Sequence, residues 1–413
     1  MAIETPARIA VLGAGPIGLE AALYARYLGY DVDLYERGRV AEHVRRWGHV
    51  RMFSPFGQNR SPLGLAALKA QDPNWQPPAD DALLLGHEYA EQYLLPLAKS
   101  DLLVDGIHEQ TEVVAVGREG FFKSELPGHD DRADGDFRLL LRTTDATGHV
   151  SERYATAEAV IDTTGTYSRP NSLGPGGLPA IGEELAAAQI EYGVPDVLGA
   201  EHSVYAGRSI LLVGDGDSAA TTLVALAELA GQTPNTWVTW ITRGAADSEA
   251  TGPISVDAHD PINARTLMAR RANQLATDDA NHITHLRGTA VEAVTWHADL
   301  GRFSVRLLGQ PPGELEFDRI IANVGYRGNR QLYRELHVAE DPITGAPQGL
   351  HPSGEGAERL LLAEADFYVL GAKSRGRDAR FLIADGLQQI QQLFTILGDR
   401  AELNLYSTMA KLC

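Results

Sequence analysis

The alternation of hydrophobic and polar positions along this chain changes period twice and then starts again. Residues 9–12 (IAVL) form an apolar run without polar alternation, the pattern of a strand buried on both faces, and it enters a turn carrying Gly13, Gly15 and Gly18. A helical stretch follows, and a second apolar strand over residues 32–35 stops at Glu36. Residues 47–59 (WGHVRMFSPFGQN) mix aromatic, basic and hydroxyl side chains and are interrupted by Pro55 and Gly57, so they read as a structured loop. Trp47, His49, Arg51, Phe53, Ser54 and Asn59 are candidates for a pocket wall there; the competing reading is a buried connection with two aromatic anchors. Residues 86–99 space Tyr89, Tyr93 and Leu97 as a helix does, with Pro96 as a kink or end. From residue 111 the period shortens: short strands are predicted over 111–118, 136–144 and 151–165, with the acidic stretch 129–136 as a loop between two of them.

The pattern then restarts. Residues 209–213 form another apolar strand, Gly214, Gly216 and Ala219 stand in the next turn, and an alanine-rich helix runs to about residue 229. A strand over 237–241, a helical segment over 265–275 and short strands within 289–297, 301–309 and 314–329 follow in the same order as before. Two such series in matching order constitute an internal duplication. A strand at 366–371 and a long helix at 380–397 close the chain.

The two glycine turns carry the candidate chemistry. In a strand–turn–helix unit the first glycine (Gly13) permits the tight turn, the second (Gly15) lets the backbone approach a pyrophosphate, and the third (Gly18) lets helix and strand pack closely. The helix start offers N–H groups and a positive dipole end to the phosphates, and Glu36 is placed to accept from a ribose 2'-OH. In the second series Arg243 follows the strand instead of an acid; a guanidinium there accommodates a 2'-phosphate and favours NADPH over NADH. Asp215 and Asp217, inside the second turn, count against a pyrophosphate unless they point away.

Composition narrows the function classes. A chain of 413 residues with 44% hydrophobic content suits two or three folded domains. Its formal net charge of -19 argues against nucleic acid or an anionic membrane as partner and leaves a small-molecule substrate. One cysteine, Cys413, provides neither an intrachain disulfide nor a paired redox centre. With no charged leader and no apolar run as long as a membrane span, the expected location is the cytoplasm. Asp257, His259, Asp260, His282 and His285 fall in predicted loops without a third spaced ligand, so no metal site is expected.

The stretches GAGPIG with Glu36, TTGTYSRPN, GDGDSA, DRIIANVGYRGN and FYVLGA together resemble the flavoproteins with two dinucleotide-binding domains, the group of thioredoxin-reductase-like enzymes and class B flavin monooxygenases. The resemblance implies an α/β fold of two Rossmann-like, three-layer domains, each with a small antiparallel β insertion, the second nested in the first. It divides the chain into 1–182 and 326–413 for FAD and 183–325 for NAD(P)H. It carries Gly13, Gly15, Gly18 and Glu36 over to the FAD fingerprint and Gly214, Gly216 and Ala219 to the NAD(P)H turn. Pro16, Ile17, Arg37, Trp47, Arg51, Val113, Thr164, Gly165, Ser218, Arg243, Gly325, Gly371, Ala372 and Phe381 are further cofactor-binding candidates. Residues 318–326 look like the D-x-x-x-(L/F)-A-T-G-Y pattern of N-hydroxylating monooxygenases, with Asn323 and Val324 replacing Ala-Thr.

Three departures sharpen what the resemblance implies. The group's disulfide reductases use paired cysteines, which this chain lacks. Gly371-Ala372-Lys373 stands where many members have Gly-Asp, and the F-x-G-x-x-x-H element of Baeyer–Villiger-type enzymes is missing before Gly214. The favoured expectation is a monooxygenase in which NAD(P)H reduces FAD, a flavin C4a-hydroperoxide forms with molecular oxygen, and one oxygen passes to a nucleophilic nitrogen or sulfur of a small substrate. Arg51, Asn59 and Lys373 are its candidate catalytic donors. A dehydrogenase passing electrons from FAD to a quinone or other small acceptor is the alternative, and a flavin-bound, non-catalytic protein is the third. A homo-oligomer stays open.

Overall fold

The computed structural model describes residues 3–127, 129–244, 252–257, 259–277, 282–309, 314–350 and 356–411; Cys413 lies outside them. The chain divides into two compact units, one made of residues up to 48, 55–169 and 327 onward, the other of 49–54 and 170–326.

In the first unit β1 (Arg8–Leu12) pairs in parallel with β2 (Asp31–Tyr35) on one side and β7 (Ala159–Asp162) on the other. The flanking strands β3 (Ile107–His108) and β15 (Phe367–Val369) complete a five-stranded parallel sheet in the order β15-β7-β1-β2-β3. Ala10, Leu12, Val160 and Phe367 from this sheet share a core with Phe137, Leu139 and Leu141, which belong to an antiparallel sheet of β4 (Thr111–Arg118), β5 (Phe137–Thr144) and β6 (Val150–Ala157). The helix Pro16–Tyr27 and the helix Ile383–Leu397 pack on one another, with Tyr24 stacked on Phe394 at 4.8 Å between ring centroids. Cover on both sides explains why these strands carry apolar runs rather than alternation.

The second unit repeats the plan. Parallel strands β8 (Ser209–Val213), β9 (Trp237–Thr242), β10 (Ile283–Arg287) and β14 (Arg319–Ala322) lie in the order β10-β9-β8-β14, beside an antiparallel sheet of β11 (Ala290–His297), β12 (Arg302–Leu308) and β13 (Glu314–Phe317). The duplication extends to an irregularity: the first strand of each antiparallel sheet shifts register near its start, between Val113 and Ala115 and between Val291 and Ala293.

Several sequence expectations change. Residues 170–182 cluster with the second unit, not the first. Leu173 and Ala180 are buried in its core, Ile181 bridges to Ala293, and the Glu183 carboxylate accepts from the N–H groups of Leu173 and Ala180. Pro170 bridges to Tyr326, which moves the other boundary to 326/327. The single strand expected over 151–165 is two strands in different sheets, turned at Glu158, whose N–H donates to the Arg8 carbonyl. Residues 314–329 likewise split into β13 and β14. The helix expected over 86–99 contains a π-helical segment, Ala90–Leu94, just before Pro96; a proline has no N–H for the α-helical ladder, and the wider turn precedes it. A helix at Pro62–Gln71 escaped the periodicity reading, although Ser61 accepts from the Gly64 N–H and Pro62 opens the first turn.

Candidate functional site

In the first unit β1 delivers the chain to Gly13, which turns with φ at 95°, in a region that favours glycine. A Cβ added at Gly18 would stand 1.8 Å from the Gly13 carbonyl oxygen, so helix and turn approach this closely only because the side chain is missing. Beside Gly15 an added Cβ meets nothing within 4 Å, and no side chain caps the helix start, where Pro16 is the first residue. The space over this helix end is therefore open. Glu36, directly after β2, anchors the turn: its Oε2 accepts from the Ala14 N–H at 2.9 Å and its Oε1 from the Gly38 N–H at 2.7 Å. Each oxygen keeps acceptor capacity for a further donor. Burial pushes this carboxyl upward against the two N–H bonds that hold its charged form.

The end of the chain closes on the same turn. Ile17 fits against Gly386 of the helix Ile383–Leu397, with Phe381 beside that glycine, and Ile17 also flanks Gly371. The Gly371 N–H donates to Gln389 Oε1 at 2.9 Å, and Ala372 follows half-buried. On the other side Thr163 Oγ1 donates to the Leu12 and Gly13 carbonyls, and Gly165 turns with φ at 65°. The structure thus brings Gly13, Gly15, Pro16, Ile17, Gly18, Glu36, Thr164, Gly165, Gly371, Ala372 and Phe381 to one end of one sheet.

Other candidates have different surroundings. Lys373 is buried: its Nζ donates to Asp162 Oδ2 at 2.5 Å and to Thr164 Oγ1 at 3.2 Å, and lies 4.8 Å from the Tyr333 ring centroid. Its ammonium is committed to a carboxylate, which argues against a free catalytic donor. Asn59 is buried with its Nδ2 donating to the Pro55 carbonyl, while its own carbonyl accepts from Tyr89. Arg51 is exposed and, with His49, Phe53 and Ser54, clusters with the second unit, so the loop 47–59 is not a single wall of the first. Trp47 remains in the first unit and its buried Nε1 has no hydrogen-bond partner. Val113 lies half-buried at the bulge of β4, and Arg37 is exposed. Sequence reasoning missed Asp162, the acid that pairs with Lys373; the signal was an ionisable residue ending an apolar strand.

In the second unit Gly214 turns with φ at 143°, and a Cβ there would stand 2.3 Å from the Asn323 carbonyl oxygen. Ala219 is buried, Ser218 is exposed and the space at Gly216 is open. Trp240 Nε1 donates to the Gly214 carbonyl at 2.8 Å. Asn323, the departure from the N-hydroxylase pattern, is a structural link: it accepts from Thr222 Oγ1 and donates to the Gly193 carbonyl. Gly325 has φ at 78° and its carbonyl accepts from the Asn171 N–H. Arg243 is bonded to Asp215, Nε to Oδ2, at 3.1 Å. Asp260 pairs with Arg265, His285 bonds Thr242 Oγ1, and His282 packs on Trp237; among the described residues no three His, Cys, Asp or Glu side chains gather as metal ligands. No helix among the described residues is long and apolar enough to cross a membrane.

No protein-family model matches the sequence, and no curated protein matches it significantly. Solved structures do. A bacillithiol disulfide reductase from Bacillus cereus is similar with a TM-score of 0.68 at 17% identity, over 95% of this chain and 99% of that one. The cadaverine monooxygenase of the desferrioxamine pathway from Erwinia amylovora, solved with FAD, gives 0.63 at 13% identity over 96% and 95%. An ornithine N-hydroxylase from Kutzneria, solved with reduced FAD, NADP+ and ornithine, gives 0.60 at 13% over 95% and 99%. The fold is that of the flavoproteins with two dinucleotide-binding domains. Within this flavoprotein fold, these three neighbours are a disulfide reductase, a cadaverine monooxygenase and an ornithine N-hydroxylase.

Proposed function

We propose that the chain is an FAD-dependent oxidoreductase reduced by NAD(P)H, and that it inserts oxygen at a nucleophilic nitrogen or sulfur of a small substrate. The observation that carries the first part is the pair of open glycine turns, one in each unit, each beside an uncapped helix start. The first fits FAD. Gly13, Gly15 and Gly18 would admit the pyrophosphate, Glu36 would accept from the adenosine ribose, and the orphaned Trp47 Nε1 would supply a donor. Thr164, Gly165, Gly371, Ala372 and Phe381 would line the rest. Gly214, Gly216, Ser218, Ala219 and Gly325 would hold the nicotinamide dinucleotide.

Bound FAD supplies the hydride and oxygen chemistry. The chain's residues then bind, orient and exclude water. The lone cysteine leaves no protein dithiol to pass electrons onward, which favours direct reaction of the flavin with oxygen and substrate. Similarity to two amine-hydroxylating enzymes supports a primary amine as the first substrate class to try. Similarity to a bacillithiol disulfide reductase supports a second reading, electron transfer from the flavin to a small acceptor.

The test is to load the protein with FAD, supply NADH or NADPH, and measure oxygen uptake and peroxide release across primary amines and thioethers. Monooxygenation predicts that some compound is converted with oxygen consumed in excess of peroxide released. Complete recovery of oxygen as peroxide with every compound, together with rapid reduction of a quinone or small disulfide, would replace it with the reductase reading.

A further inference from the structure

The two units treat the corner between glycine turn and second strand with opposite residues. In the first, the acid Glu36 follows β2 and its carboxylate bonds the backbone of Ala14, the middle residue of Gly13-Ala14-Gly15. In the second, the base Arg243 follows β9 and bonds the side chain of Asp215, the middle residue of Gly214-Asp215-Gly216. Acid and strand end have changed places, yet each corner keeps a carboxylate. The two partners of the second corner are unequally covered: the Arg243 side chain is 86% exposed and that of Asp215 31%, so the guanidinium lies on the solvent side of the pair.

Among the described residues, the neighbouring charges do not reverse this polarity. Asp217, the first residue of the helix Asp217–Gln232, adds a second carboxylate to the turn and lies 3.9 Å from Arg265, which is itself bonded to Asp260 at 2.8 Å. His285 bonds Thr242, and burial holds its pKa down to about 4, so it brings no positive charge at neutral pH. Arg287, opposite Thr242 on β10, has its own partner.

Resting on the reading that this turn holds a nicotinamide dinucleotide, we infer that Asp215 is the specificity-determining residue of the second unit and that it selects NADH over NADPH. A carboxylate facing the adenosine ribose accepts from its hydroxyls and repels a 2'-phosphate, and the bond to Arg243 holds that of Asp215 at the corner where the ribose would lie. An exposed arginine already shared with that carboxylate offers the phosphate little. This reverses the preference that Arg243 alone suggests.

The experiment is calorimetric titration of the FAD-loaded protein with NAD+ and NADP+, and with AMP and adenosine 2',5'-bisphosphate, for wild type and Asp215→Asn. Expected are tighter binding of NAD+ and AMP by wild type, and a gain of about tenfold for the two 2'-phosphorylated ligands in the variant, with NAD+ changed only a few-fold. Thermal melts check that the near-isosteric variant folds. Preference of wild type for NADP+, or an unchanged ratio in Asp215→Asn, overturns the inference and leaves the dinucleotide reading standing. If neither dinucleotide nor fragment binds a protein that retains FAD, the dinucleotide reading itself fails and this inference with it.

Discussion

The Asp162–Lys373 pair offers the sharpest test of how the first unit is held together. Asp162 ends β7 beside Leu12 of β1 and Val369 of β15, and its side chain has no exposure; Lys373 retains 2%. The carboxylate Oδ1 also accepts from the Thr164 N–H and hydroxyl, so three donor groups depend on one acid. Replacing one partner of a buried ion pair strands the other charge and costs about 3–5 kcal/mol, whereas replacing both by apolar residues of similar volume is often neutral. Lys373→Met and Asp162→Asn are therefore each expected to lose about 3–5 kcal/mol in urea unfolding, with a melting temperature lower by on the order of 10 °C. Asp162→Leu with Lys373→Met should recover most of that loss. A single variant within about 0.5 kcal/mol of wild type would refute the reasoning, because it would mean that the charges are not stranded. The double variant also separates two roles for Lys373. If it folds, holds FAD and is reduced by NAD(P)H at the wild-type rate, the lysine is a structural partner of Asp162. A large loss of flavin reduction in that folded, loaded protein would restore the catalytic assignment.

Three further outcomes follow from buried groups elsewhere in the first unit. Burial raises the Glu20 pKa from 4.5 to about 7, opposed by the nearby Ser61 and Tyr406 hydroxyls, and its Oε1 has no hydrogen-bond partner. The folded state thus favours the protonated acid: the penalty is absent below about pH 4.5, grows as the pH rises, and reaches about 3 kcal/mol above pH 7. Glu20→Gln should stabilise the protein by that amount at pH 8 and by almost nothing at pH 4, read from unfolding curves at both values; equal effects at the two pH values would contradict the linkage. Gly18→Ala places a Cβ against the Gly13 carbonyl and Thr163 Oγ1, so it should cost about 1–3 kcal/mol and reduce the flavin absorbance per protein chain. Glu364 sits between Arg118 and Arg132, all three essentially buried, and Glu364→Gln should cost about 3–5 kcal/mol in thermal or urea unfolding because it leaves two guanidinium groups facing a neutral amide.

What was legible in the sequence follows the range over which each signal acts. The two turns were legible because Gly13, Gly18 and Gly214 answer local demands, a positive φ or a missing Cβ, and the strands feeding them are apolar throughout. The duplication was legible because periodicity survives divergence, and the structure carries it down to the matched bulges at Val113 and Val291. The packing of residues 170–182 with the second unit was not legible because that stretch, rich in glycine and proline, carries no periodic signal; it is set by long-range contacts such as Ile181 to Ala293. Lys373 and Asp162 are 211 positions apart, so their pairing leaves no local signal in the sequence.

Arg243 shows the same difficulty in the sense that matters for function. Read along the chain, a base after a strand signals a phosphate, and the two aspartates of the turn signal trouble. Folding makes them one feature, since the strand end and the middle of the turn meet at 3.1 Å. The identity of a residue at a fingerprint position therefore does not fix the charge of the site; the charge belongs to the corner, and in this unit the less exposed member of the corner is an acid. Exchanging the two, Asp215→Arg with Arg243→Asp, preserves the pair while turning its carboxylate toward solvent. If coverage within the corner decides the ligand, that exchange should move binding toward adenosine 2',5'-bisphosphate. If the residue at the strand end decides it, the same exchange should move binding toward AMP.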